Sequence, residues 1–397
     1  MFGFFENVFD GGRPYIYVVA DEPTYVTVNI PFYPDQVTFL LNQYARVYLS
    51  NRVAGTGDEE LSNKGVEITS EKPITVYAYH HRGNSGPSAD GTLILPTDCA
   101  SSEYLVVSHD DSGARSSKSQ MMIFGLTDNT EVTIDLPSGD TKTVNLDRYD
   151  SYSYKEEDLT GAIVTADAPV VTLAGHTCAN VPDDDTSFCD YIMEQMPPMS
   201  SLKKAYILSY MHPRPKFSVR IVAAHDDTDV TIRDTSGAAI QTTSLNKGES
   251  YFTSFDSKDT ISITSDKGVL VAQYGQGMDA DTWDFGDPSM VVLPGLGQFE
   301  GEYHLYSARE FYKRNYVTVV ISDEFDVTGL RLNGDSFDTD NSISISVPGY
   351  GDFKVLSLRS FQTLASLSHT DSVATFGALQ YGYAYRIGYA LMAGRVV

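Results

Sequence analysis

Apolar and polar residues alternate along most of this chain with a period of two, the spacing that sends successive side chains to opposite faces of a β-strand. The pattern is clear at Tyr15-Ile-Tyr-Val-Val19, Tyr25-Val-Thr-Val28, Val132-Thr-Ile134 and Val230-Thr-Ile232. Turn-forming residues divide the runs, as at Pro137-Ser-Gly-Asp140 and Asp234-Thr-Ser-Gly237. No long segment carries the 3.6 period of an amphipathic helix, so helix is expected in under about a tenth of the chain, in short turns such as one after Pro198. The predicted class is all-β.

Three markers recur in the same order with a period of about 100 residues. The first is a strand of the form T-x-V-T-(V/I) at Thr24–Val28, Thr130–Ile134 and Thr228–Ile232, degraded at Val327–Leu330. The second is Ile68-Thr-Ser-Glu-Lys-Pro-Ile-Thr-Val76, Val164-Thr-Ala-Asp-Ala-Pro-Val-Val171 and Ile263-Thr-Ser-Asp-Lys-Gly-Val-Leu-Val271, with a weak fourth at Leu367–Val373. Its acidic-x-Pro element predicts a turn between two strands, since Pro fixes φ and gives no amide to a ladder. The third is Leu95-Pro96 before Tyr104, Met196-Pro197 before Tyr206 and Leu293-Pro294 before Tyr303. These markers divide the chain into four tandem pseudo-repeats, 1–96, 97–197, 198–294 and 295–397. Each has room for about seven or eight short strands, the size of a β-sandwich, and the short apolar Leu-Pro linkers predict docked neighbours. The alternative is a β-propeller-like ring in which each unit supplies two blades.

Composition narrows the function. The chain has 397 residues, 42% hydrophobic, with 26 Tyr and 19 Phe, which is too apolar for disorder. A formal net charge of −25 opposes binding to nucleic acid or to an anionic membrane surface. No apolar run reaches the length of a membrane span, so no membrane insertion is expected, and the opening Met1-Phe-Gly-Phe-Phe-Glu6 shows no signal peptide.

Asp158-Leu-Thr-Gly161, Pro169-Val-Val171, Gly175-His-Thr-Cys178 and Cys189-Asp190 through Pro197-Pro198 resemble the IgGFc-binding-protein N-terminal domain family. The resemblance continues in Ala272-Gln-Tyr-Gly275, Gly286-Asp-Pro-Ser-Met290 and Tyr381-Gly-Tyr383, and covers roughly residues 90–390. It implies an extracellular, non-enzymatic module of mucus-associated, adhesive and cell-surface proteins. Nothing local in the sequence spells Fc recognition, so that ligand is not carried over.

Cys178 and Cys189 flank a polar loop between two strands, and their separation is easily bridged; a disulfide is the expected state, against a pair of buried thiols. A disulfide would imply an oxidising compartment. Cys99 is expected to be buried between the first and second units, the alternative being an intermolecular bond. Catalytic signatures are absent: there is no G-x-S-x-G, H-E-x-x-H or phosphate-binding Gly-rich loop, and no zinc spacing of Cys and His. His109-Asp-Asp111 and His225-Asp-Asp-Thr-Asp229 are expected to be solvated turns, and His80-His81, adjacent on a strand, point to opposite faces.

One acidic feature recurs at equivalent points of the repeat, with Asp183 and Asp185 ahead of Asp190 in the second unit and Asp279, Asp281, Asp284 and Asp287 in the third. Such spacing can supply the hard oxygens of a calcium site; otherwise these residues solubilise long loops. Trp283, the only tryptophan, lies inside the second of these loops as a candidate contact residue or a core plug. The expected function is extracellular recognition or adhesion without turnover, the partner being an extracellular protein or glycan. The alternatives are self-assembly with other copies into a fibre, sheath or matrix, and a glycan hydrolase using paired loop carboxylates.

Overall fold

The computed structural model describes the chain apart from residues 8–11, 33–34, 83–87, 111–116, 184–187 and 395–397. It is all-β. The described residues contain no α-helix, only short 3₁₀ turns such as Met199–Ser201, which follows Pro198. The first marker occupies one structural position in three places. Strand Thr24–Ile30 lies between Asp35–Leu41 and Glu67–Ser70; Thr130–Asp135 lies between Thr141–Leu146 and Ile163–Ala179; Thr228–Arg233 lies between Ala239–Leu245 and Thr260–Gly275. The register is the same in each. Thr27 faces Thr38 and Thr69, Thr133 faces Thr143 and Thr165, and Thr231 faces Thr242 and Thr264. Rows of three β-branched hydroxyl side chains on the outer face pin the pairing, while Val26, Val132 and Val230 turn inward to the core.

The third marker is equally regular. The hydroxyls of Tyr104, Tyr206 and Tyr303 each accept from a backbone N–H three residues earlier, that of Ser101 (2.8 Å), Lys203 (3.0 Å) and Glu300 (3.0 Å). Each then donates to a carbonyl of a following strand, that of Val170 (2.7 Å), Val269 (2.6 Å) and Phe376 (2.7 Å). One buried phenol thus satisfies a donor and an acceptor that the sheets leave over. The second marker differs from its sequence reading. In the first unit two strands do flank it, Glu67–Ser70 and Thr75–Arg82, but in the second and third it lies inside the long strands Ile163–Ala179 and Thr260–Gly275. Pairing with Ser101–Leu105 shifts register between Thr165 and Val170, so Asp167 to Pro169 form a bulge within one sheet, before which the strand pairs with Thr130–Asp135 and after which with Ser119–Gly125.

Neighbouring units, named by the proposed division, share cores. Tyr104, Val164 and Ile192 pack with Leu270, Tyr274 and Met290; Phe4, Val18 and Ala78 pack with Phe124, Leu173 and Tyr191; Met211 and Val291 pack with Tyr381 and Ala390. The circuit closes where Tyr15, Tyr17 and Tyr79 meet Tyr306, Tyr312 and Tyr389. Strand Glu59–Ser62 crosses a boundary outright, pairing with Ser151–Glu156. His109 and Asp110 also bridge units, so that of the expected solvated turn Asp110 faces solvent and His109 does not. His109 is buried, and Asp110 bonds both it and Arg220, which reaches Asp158 at 3.2 Å. The hydrogen bond from His109 and the charge of Arg220 hold the Asp110 carboxyl far below the usual range. Asp111 lies outside the described residues.

Candidate binding surfaces around the ring axis

The closing strands of the four units, Ser88–Ile94, Asp190–Gln195, Ser289–Val292 and Ile387–Met392, pack against one another in that order, and the last returns to the first. Each is hydrogen-bonded outward to a strand of its own unit, and among the described residues no ladder joins the four. Ser88, Asp90 and Thr92 bond Tyr191, Met193 and Gln195 in turn, so the first two run in the same direction, and the closed circuit of contacts resembles the inner strands of a propeller, although the units outside it are sandwich-like. Their inward N–H groups are satisfied by side chains instead. Ser88 Oγ accepts from the Tyr191 N–H at 3.0 Å and Thr92 Oγ1 from that of Gln195 at 3.2 Å. The Asp90 carboxylate collects one N–H from every unit: Gly91 at 2.9 Å, Met193 at 3.3 Å, Met290 at 3.2 Å and Ala390 at 3.4 Å. Asp190 adds a second layer, accepting from Ala89 at 2.7 Å, Tyr191 at 2.8 Å and Gly388 at 3.4 Å.

Four acidic side chains, Asp287, Asp190, Asp90 and Glu194, are therefore buried along the axis. Burial raises the pKa of all four, and the N–H donors oppose the rise at Asp90 and Asp190. At the far end of the ring the strands leave through Leu95-Pro96, Pro197-Pro198, Leu293-Pro294 and Met392-Ala393, which wall a cavity of about 830 Å³ with Glu194 and Gln195 among its lining. That volume is typical of small-molecule pockets.

The loops singled out in the sequence gather at the opposite end. The Gly277 N–H donates to the Val181 carbonyl at 2.8 Å, joining the loops of the second and third units. The Asp281 carboxylate is paired with the buried Arg214 guanidinium at 2.9 Å and accepts from the Trp283 N–H. Asp287 is buried and accepts from the Met278 N–H at 3.1 Å, whereas Asp284 is exposed. Asp279 and Asp183 belong to the same end, and Asp185 lies outside the described residues. Among the described residues no group of three or more His, Cys, Asp or Glu side chains is arranged to hold a metal ion. Arg214, which fixes this loop by also donating to the Gln276 and Gly277 carbonyls, was not singled out in the sequence, where it sits between two prolines. Trp283 is 37% exposed, edge-on to Phe285, and on the adjoining turn Tyr385 is 62% exposed beside Arg386, whose guanidinium covers Phe188.

Cys178 and Cys189 are joined in a disulfide across a separation of 11 residues. Cys99 is free and exposed, not buried, because it sits in the 3₁₀ turn Thr97–Cys99 beside the axial cavity rather than under the sheets. Non-reducing peptide mapping is expected to recover the 178 and 189 peptides joined and a single alkylatable thiol per native chain. Loss of the bridge should cost about 2 to 3 kcal/mol. Three reactive thiols in native protein would contradict the pairing.

The model of the family described as IgGFc binding protein matches residues 90–382, well over half of the chain. The chain belongs to that family. The human IgGFc-binding protein is 25% identical over 347 residues, 84% of this chain but 6% of the relative's length. Among solved structures, a tetra-tandem repeat from the extending region of a large adhesion protein is 12% identical and covers 96% of this chain and 93% of its own, at a TM-score of 0.11, too low to carry an argument. No helix among the described residues is long and apolar enough to cross a membrane.

Proposed function

We propose that the chain is a non-enzymatic module that works outside the cell and recognises a protein partner through the loop face bearing Trp283, Tyr385 and Arg386. Membership of a family named for binding supports the class of function, and the disulfide supports an oxidising location. The observation that carries the choice of surface is the pairing of a partly exposed Trp with an exposed Tyr and an Arg on adjoining turns, the residue types that concentrate interface energy. Arg214 and the disulfide hold the loops beneath them, so little ordering entropy would be lost on binding. Self-assembly has its own support in the edge strand Asp35–Leu41, where Val37 and Leu40 are half-exposed.

Light scattering over a wide concentration range separates the two. A constant monomer mass is expected, and open-ended growth would favour assembly through that edge. The Fc fragment of immunoglobulin G, the ligand in the relative's name, is the first probe of the surface. Binding should weaken at least about tenfold in Trp283→Ala and in Tyr385→Ala. Unchanged binding in both variants would remove this face from the reading.

A further inference from the structure

Cations are outnumbered in a chain with 28 Lys and Arg against 53 Asp and Glu, yet Arg46, Arg309 and Lys313 line one cleft of about 540 Å³ between the first and fourth units. One wall is the edge strand Tyr44–Tyr48, whose alternation puts Tyr44, Arg46 and Tyr48 on one face. The other is the segment from Tyr306 to Lys313, held down by Phe311 stacked on Tyr15 (5.4 Å between centroids) and on His81 (4.2 Å). The carboxylate lining the cleft, Glu310, is already engaged. It accepts from the Tyr17 hydroxyl at 2.6 Å and from Arg46 at 2.6 Å, and the Arg46 guanidinium also lies 4.6 Å from the centre of the Tyr48 ring. Arg309 donates to the neutral Phe361 carbonyl, and the exposed Lys313 makes no ion pair among the described residues. With Arg46 and Glu310 cancelling, Arg309 and Lys313 leave an excess of two positive charges. The aromatic part is equally built: Tyr306 stacks on Tyr17 at 3.9 Å, and Tyr44, 48% exposed, leans on Tyr306 at 5.7 Å.

A guanidinium and an ammonium side by side take a carboxylate or sulfate, the former by paired N–H donors, the latter as a point charge. An aromatic face is electron-rich and attracts the electropositive C–H groups of a sugar ring. The volume admits one or two rings. We propose that this cleft binds an acidic saccharide, with its carboxylate or sulfate on Arg309 and Lys313 and its ring against Tyr44. None of these residues belongs to the loop face, so the two readings stand or fall separately.

Calorimetric titration with glucuronic acid, N-acetylglucosamine 6-sulfate, neutral N-acetylglucosamine and inorganic sulfate tests it. The carboxylated and sulfated sugars show which anion is preferred. The preferred acidic sugar should bind at least about tenfold more tightly than the neutral sugar or sulfate alone. Arg309→Ala with Lys313→Ala should remove that preference, Tyr44→Ala should weaken binding at least about fivefold, and raised sodium chloride should weaken it further. Melting temperatures of these variants should stay at the wild-type value, because the three side chains are exposed or rim the cleft. The proposal is overturned if no acidic sugar binds at about 20 mM, or if the neutral sugar binds as well. Sulfate binding as tightly as the acidic sugars, with Tyr44→Ala silent, would also overturn it, leaving a simple anion site.

Discussion

Replacing Asp90 by Ala is expected to destabilise the whole ring by at least about 4 kcal/mol, because four buried N–H groups lose their acceptor and an unmet buried donor costs about 1 to 3 kcal/mol. Those donors belong to four different units, at Gly91, Met193, Met290 and Ala390, so no local rearrangement of one loop can satisfy them. The loss is a large share of the roughly 5 to 15 kcal/mol that holds an ordinary domain folded. Asp90→Asn separates the hydrogen bonds from the charge. Its amide oxygen can still accept on one side while its NH₂ faces donors on the other, so about half the cost of the Ala variant is expected. Urea denaturation followed by tyrosine fluorescence measures both. An Ala variant within about 0.5 kcal/mol of wild type would mean that the axial carboxylate does not tie the units together.

The strands could be read from the sequence because threonines and buried valines alternate with a period of two wherever one face of a sheet is solvated. Thr27, Thr133 and Thr231 carry that signal openly. A ring was one of the two geometries the sequence left open, but what closes it could not be read, for a physical reason visible in Ser88-Ala-Asp-Gly-Thr92. A polar run of this kind has the composition of a loop, and its acid becomes a structural centre only when three other backbones converge on it from about 100, 200 and 300 residues away. The disulfide was recoverable because its two cysteines flank a single loop, 11 residues apart. The fate of the acidic loop was not, because the residue that claims Asp281 is Arg214, in a different segment of the third unit. Likewise nothing in the sequence marks Tyr44 and Arg46 as part of a site, because Arg309 and Lys313 come opposite them only through the fourth unit.

The protein should be most stable in mildly acidic solution and should weaken as pH rises through neutrality, with Asp287 as one contributor that a single substitution can test. Burial pushes its carboxyl up to about 7; Asp279 adds to the rise, while the Met278 N–H, Arg214 and Arg386 oppose it. Asp190, buried on the same axis and raised in part by the charge of Asp287, acts in the same direction. A carboxyl whose native pKa lies above its unfolded value binds more protons in the folded state between the two. Its contribution is therefore complete below about pH 4 and is lost as pH rises through 7, amounting to roughly 4 kcal/mol at 1.36 kcal/mol per unit. Carboxylates held low by partners, such as Glu59 with Tyr152 and Lys142, work the other way and are lost on acidification, which places the maximum near about pH 5. Rising net negative charge steepens the alkaline side. Denaturation midpoints at pH 5, 6, 7 and 8 should fall steadily in wild type. In Asp287→Asn, which keeps an acceptor for the Met278 N–H and cannot ionise, the fall should be visibly shallower, and the variant should match or exceed wild type above pH 7. Parallel pH profiles in the two proteins would show that Asp287 does not titrate in this range and that the axial acids are held in one protonation state throughout.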